Sequence, residues 1–469
     1  LPLFIILGLL AKQSLGGQLK DLKNDSVDSL LNSTAQHLDS DFHRINLKHL
    51  DFLNEFIEID GIPMMIIHIY SEYPDYGWVD ASDEGISCVD DVSRSAIVYL
   101  RHYEVYGDSV SLEKARRGLN FVMYMEQEDG EFYNFILRDY SINTEGRTSK
   151  KSFNWWAVRG LRALCCGYRV FSEIDSAYAS ELKKHIELTF GRIREFLKYY
   201  GKYEFFDGVK VPKWLVHGGD ATPEVILALL DYYSVKADRE VKEIIKKLAE
   251  GLVQFQVKDS SNPFYGMHFS WRNCWHAWGN AQTEALAKAG RMFDNTSWTE
   301  SAKLEADNFY LFLISKNFLN GIELHLGESP SIRAFPQISY GIRPMVSGLI
   351  QLYITTGDER YAKLAGLTAS WLRGNNPAHS NMYDSKTGRV YDGIDNENKI
   401  NKNSGAESTI EALMALMDIS ENPISAKYFY YEREYIDEIK RYALYRGIDT
   451  QEFRVGWDEK TDKWRIEEK

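Results

Sequence analysis

The stretch Tyr103-Glu104-Val105-Tyr106-Gly107-Asp108-Ser109-Val110-Ser111-Leu112 reads as the turn of a helical hairpin. An aromatic residue sits near the end of one helix, a glycine can close that helix, and an aspartate is placed to cap the next. The phrase recurs: Tyr233 is followed by Ala237-Asp238, and Tyr353 by Gly357-Asp358, each time ahead of an Ala/Leu/Lys-rich helical run. Working outward from these turns, long helical segments with apolar residues three and four apart begin near Asp90, Ser152, Thr222, Trp275, Ser339 and Gly405. Their spacings are 62, 70, 53, 64 and 66 positions. Six units of similar length, each long enough for two helices and a loop, indicate internal repetition.

A lone hairpin leaves an apolar face uncovered, so neighbours must continue the core. Six hairpins closing on themselves give an inner and an outer ring of helices, whereas an open superhelix would leave the ends apart. The longest, most aromatic and acidic connections fall between units, where the loops of a closed ring gather at one mouth. The expected fold is therefore all-α, an (α/α)6 barrel over residues 76–421. Residues 1–17 are read as a signal remnant or N-terminal helix, 18–75 as an N-terminal extension, and 422–469 as a helical C-terminal tail.

Composition narrows the function. The 469-residue chain carries a formal charge of -13, which argues against a nucleic-acid partner, since phosphate binding needs clustered Lys and Arg. Aromatic residues make up 13%, with 29 Tyr and 11 Trp, a surplus that needs a use. Cys88, Cys165, Cys166 and Cys274 are too scattered for a disulfide framework or a zinc site and are read as thiols. The apolar run Leu1 to Ala11 is too short to span a bilayer and suits a secretion signal, so a secreted or periplasmic location is expected, with a cytoplasmic one as the alternative. No phosphate loop, Gly-x-Ser-x-Gly or His-Glu-x-x-His is present, and no metal or other cofactor is called for. Oligomeric state is not specified by these features.

The connections between units read Glu131-Phe132-Tyr133-Asn134-Phe135, Phe153-Asn154-Trp155-Trp156, Trp214-Leu215-Val216-His217 and Phe269-Ser270-Trp271-Arg272-Asn273-Cys274-Trp275-His276-Ala277-Trp278. Flat rings stack on the C–H faces of sugars while Asn, His, Arg and Asp bond their hydroxyls. Trp78, Trp155, Trp156, Trp214, Trp271 and Trp275, with His217, Arg272, His276 and Asp392, are expected to contact a carbohydrate substrate. The competing explanation is that the rings simply fill the core.

Two acidic clusters could supply acid–base chemistry. In Gly77-Trp78-Val79-Asp80-Ala81-Ser82-Asp83, the small residues between Asp80 and Asp83 allow a tight turn that aims both carboxylates at one water. In Ser404-Gly405-Ala406-Glu407, Glu407 is either a shielded general acid or the reach-back partner of a capping box. Asp90 and Asp91 open the first long helix just before Arg94. They are helix-capping residues, second-choice catalytic groups, or ligands for substrate hydroxyls. Glu224 after Thr222-Pro223 is read as first-turn helix chemistry, and Glu284 as facing either the pocket or solvent.

On these residues the chain resembles the six-hairpin glycosidase superfamily, and within it glycoside hydrolase family 9. Gly77 to Asp83 is similar to that family's Gly-[Trp/Tyr]-Tyr-Asp-Ala-Gly-Asp segment, and Trp371-Leu372-Arg373-Gly374-Asn375-Asn376-Pro377 to its late Trp-Leu-x-Gly-x-Asn-Pro segment. The resemblance implies Asp83 as the base, Asp80 as its partner in holding water, and Glu407 as the acid. Ser82 replaces a glycine, only His379 follows the Asn-Pro segment, and Glu407 lacks the family's Asn-Glu-Val-Ala context, so cellulose is not implied. The expected activity is hydrolysis of a glycosidic bond. A uronic-acid lyase or epimerase, using His217, His268 or His276 as base and Arg272 as counter-cation, is the alternative, and a non-catalytic glycan-binding protein is the third reading.

Overall fold

The computed structural model describes residues 45–469, one compact unit from Ile45 to Lys469. It begins with helix α1 (Lys48–Leu53) and the antiparallel hairpin β1 (Asn54–Ile59) and β2 (Ile62–Ile67), in register from Asn54–Ile67 to Ile59–Ile62. A second hairpin pairs β3 (Tyr70–Glu72) with β4 (Gly77–Val79), Tyr70 lying opposite Val79.

Six helical hairpins follow: α2 (Val89–Tyr106) with α3 (Ser109–Met125), α4 (Trp155–Phe171) with α5 (Ser176–Leu197), and α6 (Thr222–Val235) with α7 (Arg239–Gln254). The fourth joins α8 (Gln282–Phe293) to α9 (Thr296–Leu304) and, through a π-helical turn at Glu305–Tyr310, to α10 (Leu311–Ser315). The last two are α11 (Ile342–Thr356) with α12 (Glu359–Ala369), and α13 (Ala406–Ser420) with α14 (Pro423–Phe429).

Helices α2, α4, α6, α8, α11 and α13 each pack on the next, and α13 packs back on α2. The ring is closed, as the repetition predicts. Its inner helices are buried along most of their length: in α6 every residue from Thr222 to Leu230 is buried. Outer helices are amphipathic. In α7 the buried positions Val241, Ile244, Ile245, Leu248, Ala249 and Leu252 form one stripe at helical spacing, and the charges face water.

The hairpin turns behave as their sequence reads. Gly107 and Gly357 close α2 and α11 with φ of 69° and 73°, donating back to the carbonyls of Tyr103 and Tyr353. Asp108, Asp238 and Asp358 accept from the first amides of α3, α7 and α12. The middle turn lacks the glycine and differs accordingly: α6 ends at Lys236 in extended geometry rather than at a left-handed residue.

Two sequence-based boundaries are corrected. Residues 45–75, assigned to an extension, belong to the barrel unit, because β2 buries Met64 to Ile67 against α3. Residues 1–44, including the signal-like run, lie outside the described residues. The C-terminal region expected to be helical is helical only through α14. It then forms a four-stranded antiparallel sheet, β5 (Glu432–Asp437), β6 (Tyr442–Arg446), β7 (Glu452–Asp458) and β8 (Lys463–Glu468), in that order. The reason is a period of two that high charge density masked: Ala443 and Tyr445, then Phe453 and Val455, alternate with exposed or half-exposed neighbours. The four cysteines are free thiols. Among the described residues no helix is long and apolar enough to cross a membrane.

Candidate active site

The first two turns of all six inner helices carry charge into the bore of the barrel. Helix α2 brings Asp90, Asp91 and Arg94, α4 brings Arg159 and Arg162, and α6 brings Glu224. Helix α8 brings Glu284, α11 brings Arg343, and α13 brings Glu407 and Glu411. Charges buried in an apolar ring persist only when paired, and these are paired across helices.

Arg94, 2% exposed, joins the opening helix to the final one. Its guanidinium meets Asp90 (3.1 Å), Asp91 (2.8 Å), Glu407 Oε1 (3.3 Å) and Glu411 Oε1 (3.0 Å). Around the bore, Arg159 reaches Glu224 Oε1 at 3.2 Å and donates to the Tyr340 hydroxyl, and Arg162 holds Glu224 Oε2 and Glu284 (3.2 Å). Arg343 grips Glu284 from the other side at 3.0 Å and lies 3.9 Å from Glu411 Oε2. Burial alone would raise the Glu224 carboxyl, but Arg159, Arg162 and Arg343 outweigh it and hold it at about 2. It is a fixed anion that ties α6 to its neighbours.

Glu407 differs. It does not reach back to cap α13. Its N-cap, Gly405, makes no side-chain cap, the Ser404 hydroxyl accepts from the Val390 amide instead, and the Gly405 amide donates to Asp392 Oδ1 at 2.9 Å. Thus the capping-box reading fails, and Asp392 orients the turn that presents Glu407. The Glu407 side chain keeps 48% of its surface open at the first turn of α13, against the Arg94 guanidinium. Desolvation pushes its carboxyl up to about 7, aided by Asp91, Asp90 and Glu411 and opposed by Arg94. Asp91, only 4% exposed, is raised by burial to about 6 against the pull of Arg94. Asp90 stays 29% exposed. Because Asp90 and Glu407 share one guanidinium, their nearest oxygens are at most about 9 Å apart, within the upper limit for carboxylates flanking a scissile bond.

The opening acidic cluster approaches this centre differently from what its spacing predicts. The backbone of Ile69 and Ser71 accepts from Ala406 and Ser404 at 2.9 Å each, stitching the first and last segments together. The Tyr70 phenol is raised by burial and by Asp91, Cys88, Glu407 and Asp392, which sets it beside the acids. Asp80, by contrast, is bound to exposed Arg138 at 2.7 Å, and Asp83 sits exposed at φ 62° on the turn from Ala81 to Gly85. The charges pressing hardest on Glu407 do not include either.

The expected sugar-contacting residues separate into two sets. Trp155 lies under Gly279 near the Tyr340 hydroxyl, with the Arg159 guanidinium 5.4 Å from its ring, so it borders the bore. His276 is oriented by buried Asp220 at 3.0 Å and stacks on Trp278 at 4.1 Å, and its other nitrogen, Nδ1, is buried without a hydrogen bond. The rest serve structure or the outer surface. Trp156 donates to Phe132 O, Trp214 to Lys247 O, and Trp275 packs edge-on against Phe309, all three buried as the core-filling alternative requires. His217 is fastened to Phe153 O and its pKa is lowered by burial. Trp78 stacks on His68 at 3.8 Å and donates to Phe52 O. Arg272 is stacked on exposed Trp271 at 4.1 Å rather than turned to the acids, and His268 is buried against Glu305.

Sequence reading missed Arg94, Arg159, Arg162, Tyr340, Arg343 and Glu411 as site residues, and undervalued Glu224. A usable signal exists: the charged ones stand in the first two turns of inner helices, where an arginine opposes the helix dipole and must have an acid partner, and Tyr340 lies in the turn that leads into α11.

No protein-family model matches the sequence, and no curated protein matches it. Solved structures do match. Cellobiose 2-epimerase from Bacillus thermoamylovorans aligns with a TM-score of 0.55 at 14% identity, covering 83% of this chain and 99% of that one. A D-mannose isomerase aligns with 0.54 at 13%, covering 76% and 91%. A family 76 glycoside hydrolase from a bovine Bacteroides thetaiotaomicron strain aligns with 0.50 at 12%, covering 82% and 79%. At such identities the likeness speaks of architecture alone, and that architecture is the six-hairpin (α/α)6 barrel.

Proposed function

We propose that the protein is a carbohydrate-acting enzyme that hydrolyses a glycosidic bond, with Glu407 as the proton donor. The observation that supports this reading is a part-exposed carboxyl at the first turn of an inner helix, ion-paired to Arg94 and held up to about 7 by desolvation and neighbouring acids. Such a group is protonated near neutrality and can deliver its proton to a leaving oxygen. Asp90 is favoured as the partner that activates water, being part-exposed and sharing Arg94 with Glu407. Asp83, the residue implied by the family 9 resemblance, is the less supported choice. Its neighbour Asp80 is engaged by Arg138, and neither is among the charges that act most on Glu407. If the acid and base act from opposite faces of the sugar, the product inverts, at a carboxyl separation of roughly 6.5–9.5 Å. Trp155 and Tyr340 supply a ring and a hydroxyl beside these groups.

A second reading, proton transfer at a sugar carbon, has one specific observation in its favour: the Asp220–His276 pair, whose buried Nδ1 lacks a partner. The epimerase and isomerase among the similar folds belong to that chemistry. Incubating the full chain with a glycan panel and with free reducing disaccharides tests both. New reducing ends that vanish in Glu407→Gln support hydrolysis. Interconversion without cleavage, lost in His276→Asn, supports the second reading.

A further inference from the structure

The charges in the bore do not balance. With Glu407 carrying the proton that the hydrolytic reading gives it, Asp90, Asp91, Glu224, Glu284 and Glu411 still face only Arg94, Arg159, Arg162 and Arg343, an excess of one anion. Asp392 at Gly405, and Asp220 behind His276, add carboxylates at the rim. Every one of these arginines is already taken. Arg94 meets four acids, Arg159 meets Asp90, Glu224 and Glu411, Arg162 meets Glu224 and Glu284, and Arg343 meets Glu284 and Glu411. Arg272 is stacked on exposed Trp271. Among the described residues, then, no guanidinium of the bore is left for a ligand carboxylate.

Acceptors, in contrast, are in surplus. Among the described residues no hydrogen bond lands on the Asp90 carboxyl, whose side chain is 29% exposed, although the Arg94 guanidinium stands at 3.1 Å. The hydrogen bonds holding Glu407 all land on Oε1, so Oε2 accepts none. Part-exposed acceptors of this kind gain from a ligand that donates, and most from one that also carries positive charge.

We infer that the bore selects its sugar by charge, taking a sugar with a free ammonium group in preference to the neutral sugar and rejecting the uronate. This rests on a sugar being the ligand of the bore and extends that reading to substrate class. A uronate would bring a further anion into a site that already has too many, in surroundings where water screens little. An ammonium donates three hydrogen bonds and offsets the excess.

Titration calorimetry on the full chain at pH 7 tests this with three β-1,4-linked disaccharides: cellobiose, its counterpart built from two glucosamines, and a glucuronate–glucose disaccharide. The expected order is amine tighter than neutral by about tenfold, and neutral tighter than uronate by about tenfold. In Glu411→Gln the amine preference shrinks severalfold. If that variant fails to fold by circular dichroism, Glu284→Gln serves the same purpose. Equal affinities, a uronate that binds best, or no binding by any of the three overturns the inference. Retained order with no turnover of any sugar supports charge selection while counting against the hydrolytic reading, so the two fail separately.

Discussion

Replacing Arg94 with methionine removes the buried side chain that ties the first turns of the opening inner helix to those of the closing one; Arg101 and Asp418, paired at 2.9 Å further along the same two helices, stay in place. Arg94 is 2% exposed and holds Glu411 at 3.0 Å and Asp91 at 2.8 Å, and those two carboxylates are 0% and 4% exposed. Taking one partner from a buried ion pair leaves an uncompensated charge and costs about 3–5 kcal/mol. Glu411 retains only looser contacts, Arg159 at 3.8 Å and Arg343 at 3.9 Å, so they offset little of this. At about 2.1 cal/mol/K of unfolding entropy per residue, a unit of this size loses about 1 °C per kcal/mol, so Tm falls by about 3–6 °C at pH 8. Differential scanning calorimetry on the single variant and on Arg94→Met with Glu411→Gln separates lost attraction from stranded charge. The double variant recovers at least about a third of the loss, because the amide carries no charge to strand. A single variant within about 1 kcal/mol of the parent, or a double variant no better than the single, refutes the reasoning.

Glu407→Gln lowers kcat/KM by about 10²–10⁴-fold on whichever glycan is cleaved, as measured by reducing-end release, with circular dichroism unchanged. Asp90→Asn causes a loss of similar size while Asp83→Asn stays within about tenfold of the parent; the reverse order would return the base to the opening cluster. The folded state raises Asp91 from 3.8 to about 6 and Glu407 from 4.5 to about 7, so it binds more protons than the unfolded chain between those limits. Stability therefore falls as pH rises from about 4 through about 7, and Glu407→Gln flattens the upper part of that slope in denaturant titrations. Asp238→Ala, which removes the side chain accepting from Glu240 and Val241 amides, costs about 1 kcal/mol in the same titrations and leaves turnover unaltered.

Particular residues show how far sequence reading reached into the site. Glu407 stands out because Gly405-Ala406 precede it and an acid-rich loop leads into it, and the structure pairs it with Arg94 at 3.3 Å. Asp80 and Asp83 stand out by spacing, yet Arg138 takes one and the turn exposes the other. Ion pairing with a residue more than fifty positions away leaves no local trace. The tryptophans mislead for a similar reason. Trp155 and Trp156 are adjacent, so on a helix they point about 100° apart, and one borders the bore while the other is buried. The C-terminal strands were hidden because their alternation involves few strongly apolar residues among many charges.

What the sequence determined alone is the repeat: helix periodicity, the glycine and aspartate turns, and the number of hairpins are local properties, each set by residues within one turn of one another. Ring closure was foreseeable only as a consequence of that repetition. Which charges meet was decided by tertiary structure, since Arg94 and Glu411 are 317 positions apart and become partners only once six inner helices aim their opening turns at one axis. Desolvation there raises Glu407 and Asp91 while three arginines hold Glu224 down, so identical carboxyl chemistry yields groups that titrate near neutrality and a permanent anion.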